Sequence, residues 1–199
     1  MTRSSRLDRQ LRIEGWNQQA LENAKIGVVG DNDLLASLYV MSASALGINH
    51  LVVLSPMLDP ILIEIAQKLN IRFTLTHIEG FFTHPIMSEL FKGCEFIVDL
   101  SQYGLANKLL IEKGFRENIP IIRGFCYENG GYQGFKVFTY LKGREWQELE
   151  QVVFSPNLPS PHVDDSVLDT IVAGIVLEET KNLLMNQNPS DDLISFKRK

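Results

Sequence analysis

Three short stretches carry residue types suited to holding a charged ligand. The first is Gly30-Asp31-Asn32-Asp33-Leu34-Leu35. It stands where a G-x-G-x-x-G turn would bend the chain and lay a phosphate on a helix N-terminus. Only its first glycine is present. Asn32 tolerates the left-handed backbone that a second glycine would supply. Leu35 replaces the third, which predicts a helix held further from the strand. Asp31 and Asp33 repel a bare phosphate unless a cation intervenes, so an ordinary turn with a capping Asp accounts for the stretch more simply. The second stretch, Leu54-Ser55-Pro56, lacks the acid that binds a ribose hydroxyl in dinucleotide sites; the nearest acid is Asp59. The third, Asp99-Leu100-Ser101-Gln102-Tyr103, puts a carboxylate at a strand end. There it suits a metal or a ribose, or a cap on the following helix. Arg3, Arg6, Arg9 and Arg12 recur at every third position and share roughly one helical face. A solvated basic face fits them equally well. Cys94 and Cys126 flank apolar runs and read as small buried hydrophobes. His50, His77, His84 and His162 show no ligand spacing.

Apolar β-branched runs place these stretches at strand ends. Strands are predicted over 25–30, 50–55, 71–76, 95–100 and 120–124, as buried parallel strands read. Helices are predicted over 7–23, 34–46, 58–69, 84–91, 105–117 and 167–185, the last capped by Asp164-Asp165-Ser166. After Gly130-Gly131 the aromatic, alternating stretch 132–141 reads as a more exposed, antiparallel strand. The fold class is therefore α/β. It is Rossmann-like, with a mostly parallel sheet, helices on both faces, antiparallel C-terminal strands and a long C-terminal helix. The reading divides one domain of 199 residues into a helical arm (1–24), the sheet (25–141), an irregular crossover with Pro156, Pro159 and Pro161 (142–164), a helix (165–186) and a loosely ordered polar tail (187–199).

Composition narrows the classes. Hydrophobic residues make up 45% and charged residues 22%, an ordinary globular balance. Two cysteines exclude a disulfide framework and a four-cysteine zinc site. A net charge of −5 argues against a nucleic-acid partner. No apolar run reaches the ~20 residues of a membrane span, and Met1-Thr2-Arg3-Ser4-Ser5-Arg6 has no signal-peptide core. A cytoplasmic protein is expected.

Taken together, the segments resemble the ubiquitin-activating, E1-like (ThiF/MoeB/HesA) superfamily over roughly residues 5–185. The resemblance rests on Arg6-Leu7-Asp8-Arg9-Gln10-Leu11-Arg12-Ile13-Glu14-Gly15, with Gln18-Gln19-Ala20-Leu21-Glu22-Asn23-Ala24-Lys25. Ala45-Leu46-Gly47-Ile48, Ile97-Val98-Asp99, the run Gly130 to Phe138 and Ala173 to Glu179 follow in the same order. It implies ATP and Mg2+ as cofactors and adenylylation of a carboxylate, releasing pyrophosphate. It also implies a homodimer in which Arg9 reaches across to the partner's ATP. By the same resemblance Arg9 and Asp99 are the catalytic residues, and Asp99 the metal ligand. Gly30, Asn32, Asp33, Ser55, Ser101, Gln102 and Arg6 bind the nucleotide.

The departures from the family pattern are specific. The family's D-x-D falls at Ser55 and Met57, its N-x-x-R segment and following Lys are missing, and the second acid after strand four is Gln102. Its zinc cysteines and thioester cysteine are absent. The length and missing cysteines are similar to the E1-like proteins of iron-guanylylpyridinol cofactor biosynthesis. That implies a small-molecule carboxylate, or else a carrier-protein C-terminus, with a possible downstream acyl-acceptor protein. Two other readings stand beside it: a catalytically degenerate E1-like binding or scaffold protein, and an NAD- or FAD-dependent oxidoreductase supported by topology alone.

Overall fold

The computed structural model describes residues 10–102, 104–143, 165–190 and 192–199. Arg3, Arg6 and Arg9, Tyr103, His162 and nearly all of the expected crossover lie outside them.

Seven strands form one sheet in the order β3-β2-β1-β4-β5-β6-β7. They are β1 (Lys25–Gly30), β2 (His50–Ser55), β3 (Thr74–Glu79), β4 (Phe96–Leu100), β5 (Ile121–Asn129), β6 (Tyr132–Tyr140) and β7 (Ile194–Arg198). The first five are parallel, and β6 and β7 add antiparallel at one edge. The helices are α1 (Gln18–Asn23), α2 (Asp33–Leu46), α3 (Pro60–Leu69), α4 (Gly104–Glu117) and α5 (Ser166–Leu184), with 3-10 turns at Gln10–Arg12 and Pro85–Phe91. The fold class is the one the alternation of the sequence predicts.

Burial of alternate strand residues builds a core on each face. Ile26, Val28, Val53, Val98 and Ile122 pack with Leu35, Tyr39 and Ala43 of α2 and Val172 and Val176 of α5. Val29, Leu54, Ile97 and Ile121 pack on the other face with Phe82, Phe91 and Leu110. Caps set where helices begin. Asp59 accepts from the Ile61 and Leu62 amides ahead of Pro60, and Asp165 accepts from those of Val167 and Leu168. The buried Tyr39 hydroxyl lies 2.9 Å from Thr180 Oγ1, joining α2 to α5, and burial pushes its pKa up.

Four expectations need correction. The arm is not one helix over 7–23: Gly15 takes φ 76°, a left-handed turn that separates Gln10–Arg12 from α1. The third strand starts at Thr74, because Asn70 ends α3 and bonds the Phe73 amide in a turn, leaving Ile71 91% exposed. The fifth strand runs on to Asn129. Gly130 and Gly131, at φ 59° and 78°, form the two-residue turn of a β5–β6 hairpin, whose ladder prolongs both strands.

The tail is not loose. Its residues Ile194–Arg198 form β7 against β6. Phe196 stacks on Phe135 at 5.8 Å, and Arg198 pairs with Asp165. Buried Glu179 of α5 accepts from the Ser190 amide at 3.1 Å and from Thr139 Oγ1 at 2.5 Å. Glu179→Ala therefore strands two donors, and is expected to cost about 1–3 kcal/mol in urea unfolding and to speed hydrogen exchange at the Ser190 amide. Unchanged exchange would place the tail's anchorage elsewhere.

Candidate active site

The chain runs β1, β2, β3 toward one edge, then crosses to β4 on the other side of β1. The strand order thus reverses between β1 and β4, where an open α/β sheet leaves a crevice beyond its strand ends. A cavity of about 260 Å³ lies there. Val29, Gly30 and Asp31 of the β1 end form one wall. Ser101 after β4, with Leu105 and Ala106 of α4, forms a second; Phe81, Phe82 and Thr83 after β3 form the third. Most of this lining is apolar, with Asp31, Thr83 and Ser101 as its polar side chains.

Gly30 makes the close approach that a phosphate turn assigns to its last glycine. A Cβ at Gly30 would stand 2.9 Å from the Ala36 Cβ of α2. The helix therefore sits close on β1 through the Gly30–Ala36 pair, although Leu35 occupies the motif's third glycine position. Asn32 does not adopt the left-handed conformation. Its φ is −105° and ψ 117°, the extended geometry of an N-cap. Its Oδ1 accepts from the Leu34 and Leu35 amides at 2.9 and 3.3 Å. Asp33 Oδ1 also accepts from the Leu34 amide, at 2.9 Å. Asp31 Oδ2 accepts from the Gln102 amide at 2.6 Å, so the loops after β1 and β4 are tied across the crevice.

Asp99 lies fully buried at the end of β4, and both its oxygens are engaged. Oδ1 accepts from the Ser101 amide at 3.0 Å and from the Ser101 hydroxyl at 2.5 Å. Oδ2 accepts from Asn107 Nδ2 at 2.9 Å and pairs with Arg123 Nη1 at 2.6 Å. Arg123, from the neighbouring strand β5, also lies 4.5 Å over the Phe125 ring. Asp99 thus holds the loop that carries Ser101 and the start of α4. Coordinating a cation would require it to release one of these donors. Ser55 is buried and donates to the Met57 carbonyl at 2.7 Å, while His77 Nε2 lies 3.0 Å from the Ser55 carbonyl. Gln102 Nε2 is buried and has no hydrogen-bond partner among the described residues.

Of the sequence candidates, Gly30 and Ser101 line the cavity; Asn32, Asp33 and Gln102 neighbour its lining residues in the chain; Asp99 bonds the lining residue Ser101, and Ser55 bonds Met57 outside the lining. Arg6 and Arg9 lie outside the described residues. Phe81 and Phe82 were missed. Their only sequence signal is two consecutive aromatic residues after Gly80, in a segment with no periodicity. No cluster of three metal-ligating side chains occurs among the described residues. Both cysteines are buried, and burial, with Asp169 beside Cys126, pushes the Cys126 thiol well above its usual range. No helix among the described residues is long and apolar enough to cross a membrane.

No protein-family model matches the chain, and no curated protein does. Solved structures do. The chain superposes on E. coli MccB with succinimide at TM-score 0.71 and 13% identity, covering 97% of this chain and 71% of that one. A structure of E. coli MccB with ATP gives 0.70 at 12% identity, over 97% and 71% of the two chains. PaaA gives 0.70 at 14% identity, over 98% and 73%. Another structure holds MccB, called there a microcin C7 biosynthetic enzyme, with N-formylated MccA. At these identities the likeness is one of fold.

Proposed function

We propose that the chain is an E1-like enzyme that uses ATP to adenylylate a carboxylate. The observation that carries this reading is the cavity at the β1/β4 reversal, in a fold shared with a protein whose structures hold ATP. In the reaction a carboxylate oxygen attacks the α-phosphorus. The bond to the bridging oxygen breaks, and pyrophosphate leaves with the electron pair. The activated acid then has AMP as its leaving group, a far better one than oxide.

The chain's own residues divide the work. Phe81, Phe82 and Leu105 offer apolar area for a nucleobase and exclude water from it. Ser101 and Asp31 offer polar groups at the wall. Mg2+, when bound, would neutralise phosphate charge; Asp31 is the acid of the cavity wall that would hold it, and with no preformed ligand cluster among the described residues phosphate oxygens and water would supply the remaining ligands. By resemblance Arg9 stabilises charge on the departing pyrophosphate from across a homodimer. The substrate is a small-molecule carboxylate of the guanylylpyridinol-precursor kind or a carrier-protein C-terminus. With both cysteines buried, the product stops at an acyl-adenylate, released in a cytoplasmic setting to a downstream acceptor.

Titration with ATP and Mg2+ in a calorimeter tests this, followed by ATP–pyrophosphate exchange with candidate acids. Saturable binding and acid-dependent exchange are expected; no heat at millimolar ATP overturns the reading. Arg9→Ala is expected to weaken ATP binding by about 1.5–3 kcal/mol, the scale of a charge-assisted hydrogen bond. An unchanged Kd would remove Arg9 from the phosphate site.

A second reading is a catalytically degenerate E1-like half of a heterodimer. It is favoured by Asp99, whose two oxygens are taken by Ser101, Asn107 and Arg123. Co-purification with a second, intact E1-like chain would support it, and a homodimer that turns over ATP would contradict it.

A further inference from the structure

The start of α2 lies beside the cavity, two residues after the lining residue Asp31, yet its first amides are already bonded by the chain's own oxygens. Asn32 Oδ1 takes the Leu34 and Leu35 amides, and Asp33 shares the first. The Asn32 side chain is itself held. Its Nδ2 donates to Asp169 Oδ2 of α5 at 3.4 Å, and the Cys126 thiol donates to Asp169 Oδ1 at 3.3 Å. Asn32 is 8% exposed and Asp169 fully buried. This bond orients the amide, because only the carbonyl end can then face α2.

A phosphate entering this position would have to displace the Asn32 carbonyl. It would also approach the carboxylates of half-buried Asp31 and Asp33 and of buried Asp169, whose like charge opposes it. Among the described residues no Lys or Arg lines the cavity to offset that repulsion. The rest of the cavity offers aromatic and aliphatic surface.

We propose that Asn32, held by Asp169, is a specificity-determining residue of this cavity. It closes the α2 N-terminus to phosphoryl groups, so a ligand is recognised through its apolar, nucleoside-like end and its phosphates run away from α2. Asp169 touches no ligand and is a positioning residue. The identity of the ligand rests on the nucleotide reading above; the closure of α2 does not.

The test uses the full chain labelled with 15N in magnesium-free buffer. Inorganic pyrophosphate is titrated while the Leu34 and Leu35 amide resonances are followed. Adenosine and ATP are then compared by Kd. In the wild type the two amides are expected to stay in place, and adenosine to bind within about threefold of ATP. Asn32→Gly keeps an acceptable cap position but removes the carbonyl. It is expected to let pyrophosphate shift both amides and to tighten ATP about tenfold relative to adenosine, the scale of a charge-assisted contact. Asn32→Ser refills the cap and is expected to return the wild-type order. Asp169→Ala removes the acceptor that holds the Asn32 amide and is expected to move in the direction of Asn32→Gly with the fold intact, which a purely structural role would not do.

The proposal is overturned if pyrophosphate shifts Leu34 and Leu35 in the wild type, or if Asn32→Gly leaves them unmoved. It is overturned equally if Asn32→Gly weakens ATP relative to adenosine. A wild type that binds neither adenosine nor, with Mg2+ restored, ATP ends the nucleotide reading, while the pyrophosphate shifts still decide the closure. Should Asn32→Gly not fold, the wild-type titration and Asp169→Ala decide it.

Discussion

Asp99→Ala is expected to lower the free energy of unfolding by about 3–5 kcal/mol, a large share of a typical domain's stability. The substitution removes the acceptor of four donors at once. The Ser101 hydroxyl and amide and the Asn107 amide lose their partner at the β4 end. The larger loss falls on Arg123, whose side chain is 3% exposed and whose guanidinium would remain buried, against the Phe125 ring, without its carboxylate. A charge left unpaired in the interior costs more than the pair itself contributes. It follows that Asp99→Ala combined with Arg123→Met should be markedly more stable than Asp99→Ala alone. Urea unfolding of both variants checks this. A loss under about 1 kcal/mol in the single variant would mean that water reaches Arg123. The same substitution should disorder the loop after β4, so ATP binding is expected to fall with stability.

Phe82→Ala is the second large effect, expected at about 3–5 kcal/mol in stability. Phe82 is 4% exposed, lines the cavity and stacks on Phe91 at 6.4 Å between ring centroids. Phe91 in turn packs against β1, where a Cβ at Gly27 would come within 2.5 Å of its ring. Removing the Phe82 ring therefore opens the cavity into the core of one sheet face. The cost combines lost burial with an unfilled void. Phe82→Leu keeps most of the volume and is expected to cost under about 1.5 kcal/mol. Thermal melts order the two variants, and an ATP titration of each reads the wall's part in binding. The alanine variant is expected to lose ATP affinity more than tenfold, on the scale of a lost aromatic contact, with the leucine variant intermediate. Equal affinities in all three proteins would show that the ligand does not use this wall.

Much of the architecture was legible in the sequence because the signals are local. Runs such as Ile26–Val29 and Phe96–Val98 are buried on both sides, as β-branched and apolar strands of a parallel sheet must be. Asp165 and the Gly130-Gly131 pair mark their element ends through bonds or dihedrals that involve only a few neighbouring residues. Gly30 and Ser101 were identifiable as cavity residues because a strand's carboxyl end is itself a local feature. The tail 187–199 was misread because its order comes largely from Phe135 and Asp165, remote in sequence, with Glu179 of α5 anchoring its start.

The amino-acid sequence by itself thus determined the alternation of strands and helices through the central sheet, and hence that the sheet is mostly parallel with a crevice at its strand ends. Only the tertiary structure decided what fills that crevice. Strand order brings Arg123 beside Asp99 across 24 positions and Asp169 beside Asn32 across 137. It also lays the patternless Phe81-Phe82 segment over the β1/β4 reversal. Periodicity reports which face of an element is buried, and nothing in it specifies which other element does the burying. A carboxylate that looked ready for a metal therefore proved to be an acceptor already satisfied by its neighbours.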